Sequence, residues 1–195
     1  MSTDTRQQIL EAAIAVIAEK GFVEASMNDI VRASGLSKGG VYWHFKSKDD
    51  VIAAVFDAFF AGQMAALDAM LAQPGSAAAQ LRQLGALSVA AVAEMAAQFP
   101  SSLDFYAMAA RDEALLAVLR QHFAGYETRI AALVAAGVAS GEFRAVDVDA
   151  TAVTIISLFE GVLLLWGVLG DQLDLAGQMA AALELLLAGL AKETG

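Results

Sequence analysis

The chain has 195 residues, no cysteine, two prolines and a formal net charge of −10. That length fits one domain or two around a sizeable core, and the missing cysteine excludes a disulfide scaffold, a thiolate metal site and a thiol nucleophile. Apolar residues make up 58 %, but 43 residues are alanine, the strongest helix former, so the hydropathy points to helix more than to bilayer.

Strand signals are nearly absent, and the chain reads as a series of helices. The first is expected from about Asp4 to Lys20, with Ile9, Ala13, Val16 and Ile17 on one apolar stripe and Gly21 as its stop. Ser26 and Asp29, three residues apart, open a short helix over Met27–Ala33, and Gly35 suits the left-handed residue beyond its end. Ser37 caps a third short helix running through His44. Ser47 and Asp50 open a long fourth helix from about Lys48 to Leu71. Breaks at Pro74–Gly75 and Phe99–Pro100 separate helices at about Ala77–Gln98, Ser101–Ala109 and Asp112–Ala139. The stretch SGEFRAVDVD, Ser140–Asp149, reads as a loop before two last helices, about Ala150–Leu169 and Gln172–Ala191. The longest uncharged stretch, 13 residues from Ala69 to Leu81, falls short of the roughly 20 apolar residues that a spanning helix needs. The N-terminus lacks the basic start and apolar run of a secretory signal. A cytoplasmic protein without membrane attachment is expected.

The charge is unevenly spread. Residues 1–50 carry a net −1 and residues 51–195 a net −9, yet Ile30–Lys48 holds Arg32, Lys38, Lys46 and Lys48 and no acid. Such a run is often only a solvated face, so local structure has to decide. A short helix, a glycine-centred turn and a second short helix over Met27–Asp50 describe a helix-turn-helix. If Val41 and Phe45 pack inward against Ile30, Val31 and Leu36, the 100° step per residue points Trp43 away from the core. An outward tryptophan beside Gly39 and Gly40 costs stability, since each helical glycine weakens the helix by about 1 kcal/mol. Both choices make sense where a duplex comes close. Glycine lets the helix sink into the major groove, and aromatic rings pack on sugars or thymine methyl groups. Tyr42, His44, Lys38, Lys46, Lys48 and the amides opening the fourth helix are then placed for phosphates. The alternative is that Tyr42, Trp43 and His44 dock this region on the rest of the protein.

Residues 5–50 resemble the N-terminal domain of the tetracycline repressor (TetR) family of bacterial transcription regulators. The pieces that carry the likeness are RQQILEAAIAVIAEKGF, the Ser26-Met27-Asn28-Asp29-Ile30 start and SGLSKGGVYWHFKSKDDVI. SGEFRAVDVDA, followed by a helix bearing Glu160-Gly161, is similar to the start of the penultimate helix in many members. The resemblance implies an all-α fold of about nine helices. A three-helix DNA-binding domain, residues 1–50, would be joined by the long fourth helix to an effector-binding and dimerisation domain, residues 51–195. Position by position it puts Ser37, Lys38, Gly39, Gly40, Tyr42, Trp43 and His44 on the recognition helix. Ser26 falls at the cap of the preceding helix and Lys48 at the N-terminus of the fourth, and Met27, Arg32 and Lys46 complete the candidate DNA contacts.

For the larger half, the resemblance implies a homodimer through the last two helices, with Phe159, Leu163, Leu175, Met179, Leu183, Leu186 and Leu190 as candidate interface residues. An ordinary core is the other reading of that stripe. It also implies an effector pocket between the fourth and seventh helices, opening toward the eighth. Candidate lining residues are Phe60, Met64, Met95, Phe99, Tyr106, Phe123, Glu127 and Trp166, since methionine and aromatic side chains adapt to irregular apolar ligands. Each also reads as core. The expected function is a regulator, a repressor of a palindromic operator released by a small apolar or amphiphilic effector. No cofactor and no metal are expected. His44 and His122 stand far apart, and carboxylate pairs such as Asp112-Glu113 sit at helix starts, so catalysis is not expected. The rival is a helical carrier or scaffold without sequence-specific DNA binding.

Overall fold

The computed structural model describes residues 2–98 and 102–192. Among them the order is α1 (Ser2–Glu24), α2 (Met27–Ser34), α3 (Lys38–His44), α4 (Lys48–Leu71), α5 (Ala77–Gln98), α6 (Ser102–Ala109), α7 (Glu113–Ala139), α8 (Val148–Leu169), a 3₁₀ turn (Gly170–Gln172) and α9 (Leu175–Leu190). The helices start where short polar side chains replace missing backbone partners. Ser26 Oγ accepts from Asp29 N at 3.2 Å, and Ser37 Oγ accepts from Gly40 N at 3.1 Å. At α4 the exchange is mutual: Ser47 Oγ accepts from Asp50 N, and Asp50 Oδ2 accepts from Ser47 N, both at 3.0 Å. Gly21 has φ 78°, ψ 169° and breaks α1 at the expected place, so that its last three residues form a separate turn.

Two later boundaries differ from expectation. Helix α8 begins at Val148 rather than at about Ala150, because Asp147 caps it through Ala150 N at 3.0 Å. Helix α9 begins at Leu175 because Asp174 caps Gly177 N at 3.1 Å, and the 3₁₀ turn takes up Gly170–Gln172. Two helical segments, Lys48–Leu71 and Val148–Gln172, pass the length and hydropathy test for crossing a membrane. A count of uncharged residues misses them, since single acids interrupt long apolar runs.

Compactness divides the chain into residues 1–62 with 94–121, and residues 63–93 with 122–195. The division falls inside α4, at 62 rather than at 50, and returns through α5 and α7. In the first unit α1 packs on α2 and α2 on α3. Ile9, Ala13, Ile17, Ile30, Val41, Val51, Ile52 and Phe56 are fully buried there. The second unit has its own core, with Leu67, Leu81, Leu84, Ile130, Val134, Phe143, Ile155, Phe159, Met179 and Leu183 at its centre. The loop of residues 140–147 holds that unit together. Both Glu142 oxygens accept the first amides of α5, Ala77 N at 2.7 Å and Ala78 N at 3.0 Å. Phe143 is buried against Gly137, and Arg144 Nε donates to Gly189 O at the end of α9, at 2.7 Å.

Candidate functional site

The first unit presents α3 as expected. Val41 and Phe45 are buried, while Trp43 is 71 % exposed with its ring edge-on to His44 at 4.6 Å. Neither Gly39 nor Gly40 has positive φ, and a Cβ at Gly39 would meet nothing within 4 Å. Backbone and packing therefore do not require the glycine at 39. Around this face, Lys38 Nζ stands 5.6 Å from the Tyr42 ring centre and Lys46 Nζ donates to Tyr42 O at 2.8 Å. Both lysines are exposed. Ser37 uses its oxygen as an acceptor at the cap.

Three expected contact residues are already engaged. Ser26 donates its proton to Asp29 Oδ2 at 2.6 Å, so its hydroxyl serves the cap before any phosphate. Arg32 pairs with Asp29 at 2.9 Å, as does Lys20 at 2.8 Å. The Lys20 ammonium, the Ser26 hydroxyl and Arg32 hold the Asp29 carboxyl down to about 2, and its charge offsets part of the basic face. Lys48 differs most from expectation: its ammonium donates to Phe22 O at 2.8 Å and Val23 O at 3.1 Å, at the broken end of α1. A census of cations by sequence cannot see that the last carbonyls of α1, which lack helical partners, lie within reach of this ammonium.

In the second unit, the expected interface residues are mostly spent inside. Phe159, Leu175, Met179, Leu183 and Leu190 are buried in the protomer's own core, and Leu163 and Leu186 are half-buried against it. The correction has a simple cause: α8 and α9 are apolar on two faces, and the stripe chosen from periodicity is the one that packs inward. The faces turned outward carry Val153, Leu164 (53 % exposed), Leu165, Val168 (66 %) and Leu169 on α8, and Leu185 (78 %) on α9. Val153, Ser157, Gly161, Leu164 and Val168 recur every three to four residues and form one side of α8. Around Leu185 lie Ala181, Ala188 and Gly189, all exposed.

The expected pocket residues are divided between the two units. Phe60, Met95 and Tyr106 belong to the first unit, and Met64, Phe123, Glu127 and Trp166 to the second; Phe99 lies outside the described residues. The Phe60 ring lies tilted to Phe56 at 6.0 Å and edge-on to Phe59 at 5.7 Å. Met64 and Trp166 pack on the second core, whereas Glu127 is exposed. Sequence reading missed a polar group inside that unit. Ser88 is buried and donates to Leu84 O at 3.0 Å, Tyr126 hydrogen-bonds Ser88, and the His122 ring lies 5.1 Å from the Tyr126 ring. Burial, with the charge of Glu160 adding to it, pushes the Tyr126 phenol up against the opposing Ser88 bond. Burial pulls the His122 imidazolium down to about 4, so the ring is neutral at physiological pH. A separate groove of about 290 Å³ runs between α5 and α9, lined by Gly85, Val89, Met179 and Leu183 with the Arg82–Glu184 pair at its rim. Among the described residues no group of His, Asp and Glu is placed to hold a metal.

Comparison with known proteins gives consistent results for both halves. Residues 9–55 match the family of bacterial regulatory proteins, tetR family, and residues 77–192 match the BetI-type transcriptional repressor, C-terminal family. The uncharacterized HTH-type transcriptional regulator YfiR of Bacillus subtilis is 30 % identical over 151 residues, 76 % of this chain and 73 % of that protein. The HTH-type transcriptional regulator AcrR of Shigella flexneri is 35 % identical over 54 residues, 28 % of this chain. The matches to the first curated relatives span between 24 % and 39 % of those proteins' length. The transcriptional regulator FadR of Bacillus subtilis, solved in complex with stearoyl-CoA, shares the fold with a TM-score of 0.70 at 22 % identity, over 94 % of this chain and 98 % of that one.

Proposed function

This chain belongs to the tetR family of bacterial regulatory proteins, and we propose on that footing that it represses transcription in the cytoplasm as a ligand-released homodimer. Helix α3 enters the major groove, with Trp43 and Tyr42 against sugars and bases and Lys38, Lys46, Ser37 and His44 on flanking phosphates. The observation that carries this reading is the 71 % exposed Trp43 beside a glycine that the fold itself does not require. A second copy covers the outward faces of α8 and α9, because a contiguous apolar surface of this kind marks an interaction site. Two protomers then present two recognition helices to half-sites about 34–36 Å apart, and they double the basic face of an otherwise acidic chain.

The effector is a small apolar or amphiphilic molecule. The methionine and aromatic side chains support an apolar body, and Ser88, His122, Tyr126 and Glu160 supply polar anchors. FadR's complex with stearoyl-CoA is a precedent for such chemistry on this fold. Helix α4 runs through both units, so an altered course in the second is passed to the first by helix continuity. Operator and effector then weaken each other by the same factor. This reading assigns the chain no catalytic step. It is tested by selecting bound duplexes from a randomised pool with the wild type and with Tyr42→Ala/Trp43→Ala. Recovery of a palindrome by the wild type alone supports the reading. Random recovery, or the same site from both proteins, overturns it in favour of a helical carrier.

A further inference from the structure

The groove between α5 and α9 lies wholly in the second unit and shares no residue with the polar anchors Ser88, His122, Tyr126 and Glu160. Its floor is the buried pair Met179 and Leu183, and its walls carry small side chains, Gly85 and Ala86 on α5 and Ala176 and Ala180 on α9. A Cβ at Gly85 would overlap the Leu183 side chain, so the glycine lets α5 lie close along α9. Ala86, Ala176 and Ala180 are exposed, which leaves the space between the helices open. Its volume of about 290 Å³ equals about ten liquid waters at about 30 Å³ each. A methylene group is of similar size, so a chain of about ten carbons fits. At about 100° per residue, Ala176 and Leu185 fall on opposite sides of α9. The groove therefore faces away from the surface assigned to the second copy.

At the rim Arg82 and Glu184 form a two-bond fork, Nε donating to Oε1 at 2.6 Å and Nη2 to Oε2 at 2.9 Å. Both side chains are about half exposed. Glu142 also acts on Arg82 through its charge, but both its oxygens accept the first amides of α5, and the positive end of that helix offsets it. The rim is thus close to neutral and rich in hydrogen-bonding groups. A guanidinium has five N–H donors and a carboxylate about four lone-pair sites, and the fork uses two of each. A hydroxyl can donate to Glu184 and accept from Arg82 with the fork intact. A carboxylate head would meet Glu184 as a like charge, and an ammonium head would meet Arg82 in the same way. We propose that this groove is a small-molecule site separate from the effector anchors, and that it takes an uncharged amphiphile, a chain of about ten carbons ending in a hydroxyl. The site does not depend on the DNA-binding reading.

The test is equilibrium dialysis of the full chain against three probes that share one chain length, 1-decanol, decanoate and decyltrimethylammonium, each kept below micelle formation. Wild type is compared with Ala86→Leu/Ala180→Leu, which fills the groove from its exposed walls, and with Arg82→Met and Glu184→Gln, which open the fork. An exposed ion pair contributes little to folding, so the last two are expected to fold as the wild type does. The wild type should bind decanol about tenfold more tightly than either ion, and the filled variant should lose about tenfold of that affinity. Glu184→Gln, which leaves the guanidinium alone, should turn the preference toward decanoate by several-fold. Arg82→Met, which leaves the carboxylate alone, should turn it toward decyltrimethylammonium. No binding of decanol, equal binding of all three probes, or an unchanged affinity in the filled variant overturns the site. If the filled variant does not fold, the two opposite turns in preference support the site on their own, and an unchanged preference in both overturns it. A filled variant that sediments as a smaller species than the wild type marks the groove as a contact between copies and likewise overturns it.

Discussion

Replacing Leu164 by glutamate tests the assembly of the protein most sharply. Leu164 is 53 % exposed in the protomer, on the same side of α8 as Val153 and Val168. Burying a whole valine or leucine contributes about 1.5–3 kcal/mol, so each half-exposed side chain on this face has roughly 1 kcal/mol left to gain from a partner. Six such side chains per protomer, counted on both copies, supply about 12 kcal/mol, against an association cost of about 4–15 kcal/mol. The balance is narrow enough for one substitution to decide it. In a twofold interface the change appears twice. It removes about 2 kcal/mol of burial and brings two carboxylates into an apolar contact at a cost of several kcal/mol more. Sedimentation velocity at micromolar concentration is expected to show a dimer for the wild type and a folded monomer for Leu164→Glu, with unchanged helix content by circular dichroism. A Leu164→Glu dimer of undiminished affinity would refute the placement of the interface on this face.

Gly137→Ala should destabilise the protein by about 1–3 kcal/mol, because the new methyl would overlap the Phe143 ring and lie 2.9 Å from Ala77 Cβ. An exposed helical glycine would instead gain about 1 kcal/mol on the same change, so a raised melting temperature contradicts the packing described. His122 is held neutral by burial, with its folded pKa lowered from 6.5 to about 4. The unfolded chain therefore binds the extra proton first, and stability is full above about pH 6.5 and falls as pH drops toward 4, by about 3.5 kcal/mol in all at about 1.4 kcal/mol per unit. Urea titrations of wild type and His122→Gln across that window should diverge, the variant losing less, and parallel curves would remove the assignment to His122.

The helices of the first unit were legible in the sequence because their boundaries rest on local chemistry. Ser26, Ser37 and Ser47 cap what they were expected to cap, and Gly21 and Gly35 take the positive φ that their positions suggested. Trp43 was readable as outward from the inward spacing of Val41 and Phe45. The proposed interface was not readable in the same way. On α8 and α9 both faces are apolar, so a leucine stripe at helical spacing describes the core and the outer surface equally well, and Leu175, Met179 and Leu183 went to the core. Long-range polar partners were also invisible. The carbonyls that hold Lys48 lie 25 and 26 residues away, and Glu142 caps amides 64 and 65 residues upstream. Ser88, His122, Tyr126 and Glu160 come from three different helices. No local pattern brings such groups together, because tertiary packing alone sets their proximity.

The account stands on α3 of each protomer reading one half of a symmetric site, and a hydroxyl-radical footprint of the wild-type protein on its selected duplex tests that most directly. Two protected patches related by a dyad and centred about 10–10.5 base pairs apart on one face of the DNA, both lost with Trp43→Ala, are the expected result. A single patch, uniform protection along the duplex, or an unchanged footprint from Trp43→Ala would contradict it.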